Sequence, residues 1–327
     1  DVNIGNTLCD PLAVEPLPFL KITEPTVEMT FSVNDSPFAG KEGKFVTSRQ
    51  IRERLQRELL KDVALRVEET DNTDSFRVMG RGEMHLSILI ETMRREGYEL
   101  SAGRPEVIFR TENGKKMEPI EHVYIDCEEI FLGVVTEKLS IRKGRLTNLV
   151  NKGTGRVRAE FSIPSRGLIG SGNDFMTDTK GTGIMNSLFD GYEEYRGDFP
   201  TRFNGSIVSD RAGHAVAYGL FHLEPRGRLF VVPGDVVYEG MVIGEYNKDT
   251  DLDVNPCKEK KLTNMRASGK DENIVLRPIK PMTLEEAIFF LAPDELVEVT
   301  PKSIRIRKTI LGAQGRHTAR SRSLKNS

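Results

Sequence analysis

The chain has 327 residues, 38% hydrophobic and 29% charged, which is enough apolar material for real cores in two or three domains. No apolar run approaches the ~18 residues of a membrane span, and the opening DVNIGNTLCDP lacks the basic and apolar regions of a signal peptide. Three widely spaced cysteines, Cys9, Cys127 and Cys257, with no CxxC, point to free thiols in a reducing compartment and hence a cytoplasmic location.

In chain order, residues 1–25 include PLAVEPLPFLKITEP, which reads as the last strand of one domain and a linker. Val27, Met29, Phe31 and Val33 then alternate as a half-buried strand requires. Thr47 and Gln50 form a capping box, followed by Ile51, Leu55 and Leu59 at helical spacing. Strands are predicted around Ala64–Glu68 and Phe76–Met79. A second helix carries Leu86, Leu89, Ile90 and Met93, and strands at Tyr98–Leu100 and Val107–Phe109 close the segment. The order β-α-β-β-α-β is that of a ferredoxin-like domain over 26–114.

The order repeats over 115–194. Val123, Ile125 and Cys127 alternate, Leu132, Val135 and Leu139 mark a helix, and a hairpin turns at NKGTG. Pro164 opens a further helix and Gly181–Phe189 closes the unit. From 195 to 327, short strands set off by Gly and Pro predict a β-rich, barrel-like domain with one short helix capped by Thr283 and Glu286. The interval of about 247–273 carries no recognisable element and is expected to be a mobile loop. The fold class is therefore α+β.

Net charge is only −2, but it is unevenly spread. Residues 302–327 carry +8 and residues 258–270, KEKKLTNMRASGK, carry +4, leaving −14 for the remainder. A positive end set against an acidic body suits a polyanionic partner. Lys and Arg neutralise phosphates, Arg266 forks onto a phosphate or base edge, and Asn264 and Ser268 reach sugar and base edges. A solvated loop and tail without a partner account for the same residues equally well.

No catalytic constellation is visible. The five histidines are scattered, there is no HExxH or GxSxG, and GKEGK does not complete GxxxxGK[ST]. The turn SRGLIGSGN (165–173) offers either backbone amides to a phosphate or a tight turn feeding a packed helix, the latter favoured.

Three stretches carry a resemblance. GNTLCD (5–10) resembles the end of the second domain of translational GTPases. NDSPFAGKEGKFVTSRQIRERLQREL with RVMGRGEMHLSILIETMRREGYEL resembles the third domain of elongation factor G and its relatives. KKLTNMRASG, together with ELVEVTPKSIRIRK, resembles the BipA/TypA branch.

That resemblance implies domains III and V in tandem, then a family-specific C-terminal domain, in a chain cut before its GTPase domain. GTP and Mg²⁺ would belong to the absent part, and this chain would be no enzyme. The implied partners are the ribosome, with large-subunit rRNA near the peptidyl-transferase centre, the acceptor arm of the P-site tRNA and the small subunit. The implied roles are in translation regulation, stress or cold response and large-subunit assembly, by a monomer off the membrane. RNA contact is implied for Lys258, Lys260, Lys261, Asn264, Met265, Arg266, Ser268 and Lys270. Further rRNA contacts are expected from the basic tail at Arg305, Arg307, Lys308, Arg316, Arg320 and Arg322. Where the family pattern has an aromatic and a basic residue after GLIG, this chain has Ser171, Gly172 and Asn173. Tandem ferredoxin-like domains also fit a regulatory small-molecule binder or an interaction scaffold.

Overall fold

The computed structural model describes residues 4, 6–17, 24–151, 153–200, 202, 204–259 and 275–326, the side chains of 323–326 excepted. The architecture is mixed α+β. The chain divides into two compact units, Asp1–Val33, Phe45–Tyr98 and Pro105–Thr201 in the first, and Asn34–Lys44, Glu99–Arg104 and Arg202–Ser327 in the second.

The first unit begins with β1 (Val27–Ser32), α1 (Ser48–Leu59), β2 (Arg66–Glu69), β3 (Ser75–Gly80) and α2 (Glu83–Glu96). Val27, Met29 and Phe31 are buried on one face of β1, as their alternation requires. The Thr47 side chain and Gln50 cap α1 reciprocally, and Gly97, at φ 97°, ends α2 in the left-handed conformation that costs glycine least. Removing the cap with Thr47→Ala is expected to lower stability by about 1 kcal/mol, read as a reduced urea midpoint at unchanged slope.

After β4 (Leu100–Ala102), which belongs to the second unit, come β5 (Glu106–Val107), β6 (Arg110–Glu112) and β7 (Lys115–Glu128). β5, β1, β3 and β2 lie side by side, all antiparallel. The unit continues with α3 (Leu132–Ile141), β8 (Arg145–Asn151), β9 (Arg156–Pro164), α4 (Ser165–Leu168), α5 (Ser171–Asp178) and β10 (Ile184–Glu194). Its sheet runs β10-β7-β9-β8, antiparallel throughout. Val123, Ile125, Cys127, Val135, Phe161 and Phe175 build the core against the helices.

The second unit is assembled from distant stretches. It comprises β4, β11 (Ser206–Ser209), β12 (Gly213–His214), α6 (Ala217–Phe221), β13 (Gly227–Leu229), β14 (Val236–Val237), β15 (Met241–Tyr246) and β16 (Leu252–Val254). The last elements are α7 (Leu284–Phe290), β17 (Glu295–Val299), β18 (Ile304–Lys308) and α8 (Ala313–Asn326). Strands follow one another as β16-β11-β15-β18-β17-β4, with β16 parallel to β11. Ile207, Leu220, Val237, Tyr238 and Ile243 form its core.

A buried polar knot explains why 34–44 and 99–104 join this unit rather than their sequence neighbours. The Glu99 carboxylate accepts from the Gly40 and Gly43 amides at 2.8 and 2.9 Å and from Asn34 Nδ2 at 2.7 Å. Asn34 also donates to Glu298 at 3.2 Å. Glu99 and Glu298 are both 0% exposed, so every one of these bonds offsets the desolvation of a carboxylate.

Two expectations change. The interval 247–273 is not uniformly loop: β16 lies within it, pinned by Asp251 Oδ1 accepting from the Ser206 amide at 2.9 Å. Residues 260–274 lie outside the described residues. The basic segment 302–327 is likewise no tail but a sheet strand and a helix.

Candidate nucleic-acid interface

The basic residues expected to touch RNA fall into three groups. β18 pairs antiparallel with β17, setting Arg305 opposite Glu298 and Lys308 opposite Glu295. Arg305 donates to Glu298 at 3.1 Å and to Glu42 at 2.8 Å. Arg307 is 2% exposed, pairs with Asp35 and donates to the Lys308 carbonyl. Lys308 is 1% exposed, with Nζ 2.7 Å from Asp251, 2.9 Å from Glu295 and 3.0 Å from Asp294. Burial alone would lower the Lys308 pKa, but the carboxylates of Glu295, Asp251 and Asp294 outweigh it and hold it above the ordinary lysine value.

Lys308 is therefore corrected from a surface RNA contact to an internal counter-ion, because the unit buries Glu295 and needs a cation beside it, and Arg307, 2% exposed, is likewise closed to RNA. Arg202, missed in the sequence, serves the same end at 2.7 Å from Glu295. Its signal lay only in a distant partner.

α8 supplies the second group. Arg316 pairs with Asp253 and donates to the Ile310 and Leu311 carbonyls. His317 lies 3.3 Å from Asp253, and Arg320 lies 3.0 Å from Asp251 and is half exposed. Arg322 is exposed. In the third group Lys258 is exposed, whereas Lys260, Lys261, Asn264, Met265, Arg266, Ser268 and Lys270 lie outside the described residues.

The glycine-rich turn at 167–173 is satisfied from within. The Gly170 amide donates to Glu83 Oε2 at 3.0 Å. Arg142 donates to the Gly167 and Ile169 carbonyls, both at 3.1 Å, and to Asp174 at 3.1 Å. A Cβ at Gly167 would stand 2.8 Å from the Arg142 carbonyl oxygen, so only glycine fits that approach. Burial, aided by Glu121 and opposed by the Gly170 bond and Arg142, pushes the Glu83 carboxyl up to about 7. A carboxylate of the chain itself thus occupies the place offered to a phosphate. Nothing local in the sequence marks Glu83 as its partner.

Among the described residues no group of three or more His, Cys, Asp or Glu could hold a metal ion, and no helix is long and apolar enough to cross a membrane. Cys9, Cys127 and Cys257 are free thiols.

Residues 115–203 match the family of the elongation factor G C-terminus, and residues 204–313 match the TypA/BipA C-terminal domain. A Haemophilus influenzae protein named large ribosomal subunit assembly factor BipA is 56% identical over 320 residues, 98% of this chain and 52% of the relative. The Salmonella typhimurium protein of that name is 55% identical over 98% of this chain and 53% of its own length. The one from Synechocystis sp. is 51% identical over 94% and 52%. The chain spans about half the length of the curated relatives it matches.

These matches correct one expectation, that of a non-enzyme lacking its GTPase domain. The similarity covers a region of about 320 residues, about half of each relative, and does not itself evidence the loss of a GTPase domain, so that expectation does not stand. With both C-terminal segments matched and identity of 51–56% over nearly its whole length, the chain belongs to the BipA/TypA family.

Proposed function

We propose that this chain binds the ribosome and contacts RNA in the service of large-subunit assembly and translation control. The observation that carries this reading is 55–56% identity, over 98% of the chain, with proteins named large ribosomal subunit assembly factors. The proposed interface is the basic finger from Lys258 to Lys270, with Arg320 and Arg322 of α8 adding contacts to phosphate. Large-subunit rRNA near the peptidyl-transferase centre and the acceptor arm of a P-site tRNA are the proposed targets, which implies action in the cytoplasm.

As finer architecture we propose two ferredoxin-like domains, 26–114 and 115–194, followed by a family-specific β-rich domain. The strand order β10-β7-β9-β8, fourth-first-third-second within its segment, supports the second of these. GTP and Mg²⁺, which the family resemblance implies, find no fitting residues among those described. The Gly170 amide is taken by Glu83, and among the described residues no group of three or more His, Cys, Asp or Glu could hold a metal ion. No step is derived through either.

Co-sedimentation with ribosomes across a salt series tests the interface. Lys260→Ala/Lys261→Ala/Arg266→Ala should bind more weakly, and each lost phosphate contact should flatten log K against log salt by roughly 0.7–0.9. Equal affinities and equal slopes would remove the finger from the interface.

A further inference from the structure

The sequence of α8, AQGRHTARSRSLKN, has no apolar stripe with which to pack. Its first turn is fastened: Glu239 Oε1 accepts from the Ala313 amide at 2.9 Å, and Arg316 donates to two carbonyls. Beyond that turn the described side-chain contacts to the body are the approach of the His317 ring to Asp253 at 3.3 Å and the Arg320–Asp251 ion pair at 3.0 Å. Beside the helix lies a cleft of about 420 Å³, lined by Pro293, Asp294, Thr309 and Ile310 together with Ala319 and Arg320 of the helix itself. A helix whose described side chains bury no large apolar group, held beside that cleft by half-exposed polar contacts, is held weakly.

Asp251 does not need Arg320. Its carboxylate is already held by Lys308 at 2.7 Å and by the Ser206 amide at 2.9 Å, so withdrawal of Arg320 leaves no orphan charge. Arg322 is exposed and adds to the same positive end. Guanidinium groups seated on carboxylates are in the geometry in which they take phosphates.

We propose that α8 is a detachable cationic arm, whose resting seat on Asp251 and Asp253 stands in for the phosphates of an RNA backbone. The inference rests on the RNA-contacting reading and deepens it: the arm swings about its first turn, exchanges Asp251 for phosphate at Arg320, and adds Arg322. The acidic seat then sets how strongly the arm engages, by competing with RNA for the same cations.

Asp253→Asn tests this in the full 327-residue chain, since it takes the carboxylate from both Arg316 and His317, loosening the arm at its root, and leaves the partners of Lys308 in place. Binding of a short fluorescein-labelled oligouridylate at low salt should tighten roughly two- to fivefold, the worth of one exposed ion pair. Hydrogen exchange at amides from Thr318 onward should quicken without RNA. Adding Arg320→Ala/Arg322→Ala should abolish the gain. A folded Asp253→Asn protein with unchanged or weaker binding overturns the proposal, and so does tighter binding with unchanged exchange in α8, which would be a general charge effect. Survival of the gain after loss of both arginines overturns it too. None of these readouts uses the finger or a ribosome, so failure here and failure of the finger variant in co-sedimentation are distinguishable.

Discussion

Lys308→Met should destabilise the protein by about 3–5 kcal/mol, because it removes the ammonium from a site that keeps its carboxylates. Glu295 is 1% exposed and among the described residues would retain only Arg202 as a cation within reach. Asp251 would lose its strongest partner. Burial raises the Asp251 carboxyl, but the Lys308 bond and the Ser206 amide prevail and hold it below its ordinary 3.8. A depressed carboxyl contributes stability above its unfolded value, and that contribution is lost as pH falls through the lower folded value. The acid limb of the stability curve should therefore shrink in the variant, alongside a lower urea midpoint. Ribosome affinity per folded molecule should keep its salt slope, since a side chain 1% exposed meets no phosphate. A loss below about 1 kcal/mol, outside the range for a broken buried pair, would remove Lys308 from the role of counter-ion.

Glu83→Gln should act in the opposite direction. The folded carboxyl titrates at about 7 against an ordinary 4.5, so between those values the folded state holds a proton that the unfolded state has lost. Stability from this group is then fully present below 4.5 and falls as pH rises to about 7. The shift corresponds to roughly 1–3 kcal/mol once discounted for partial exposure. Glutamine keeps an oxygen for the Gly170 amide and cannot ionise, so the variant should match the wild type at pH 5 and exceed it at pH 8. Urea unfolding from pH 5 to pH 8 measures this directly, and parallel curves would mean that Glu83 is solvated.

The helices and strands of the first unit were legible because each is written locally. Thr47 and Gln50 announce α1, and the spacing of Leu86, Leu89, Ile90 and Met93 announces the buried face of α2. What was not legible depends on residues far apart in sequence. The knot of Asn34, Glu99 and Glu298 joins three distant stretches, and Glu83 meets its partner 87 residues later. The basic segment misled for a related reason. A run of Lys and Arg looks solvated until β17 is laid beside it, when ELVEV and IRIRK bring Glu298 to Arg305 and Glu295 to Lys308. The register of that pairing is what exposes the charge matching. Of the candidate site the sequence offers the finger's basic and amide side chains, of which all but Lys258 lie outside the described residues, while the sorting of the cations of β18 and α8 into anchored, seated and buried ones required the fold.

The same knot fixes a timetable for synthesis. Asn34 and Glu298 are 264 residues apart, and everything between them must leave the ribosome first. At about 5–20 residues per second the wait is on the order of 10–50 s. Throughout it Asn34 and Glu99 are already made but lack the strand that completes their enclosure, whereas the 115–194 sheet, whose strands all lie within one stretch, is complete much sooner. A nascent chain paused before β17 would therefore present a finished 115–194 sheet and an open second unit, which closes only as the last strands emerge.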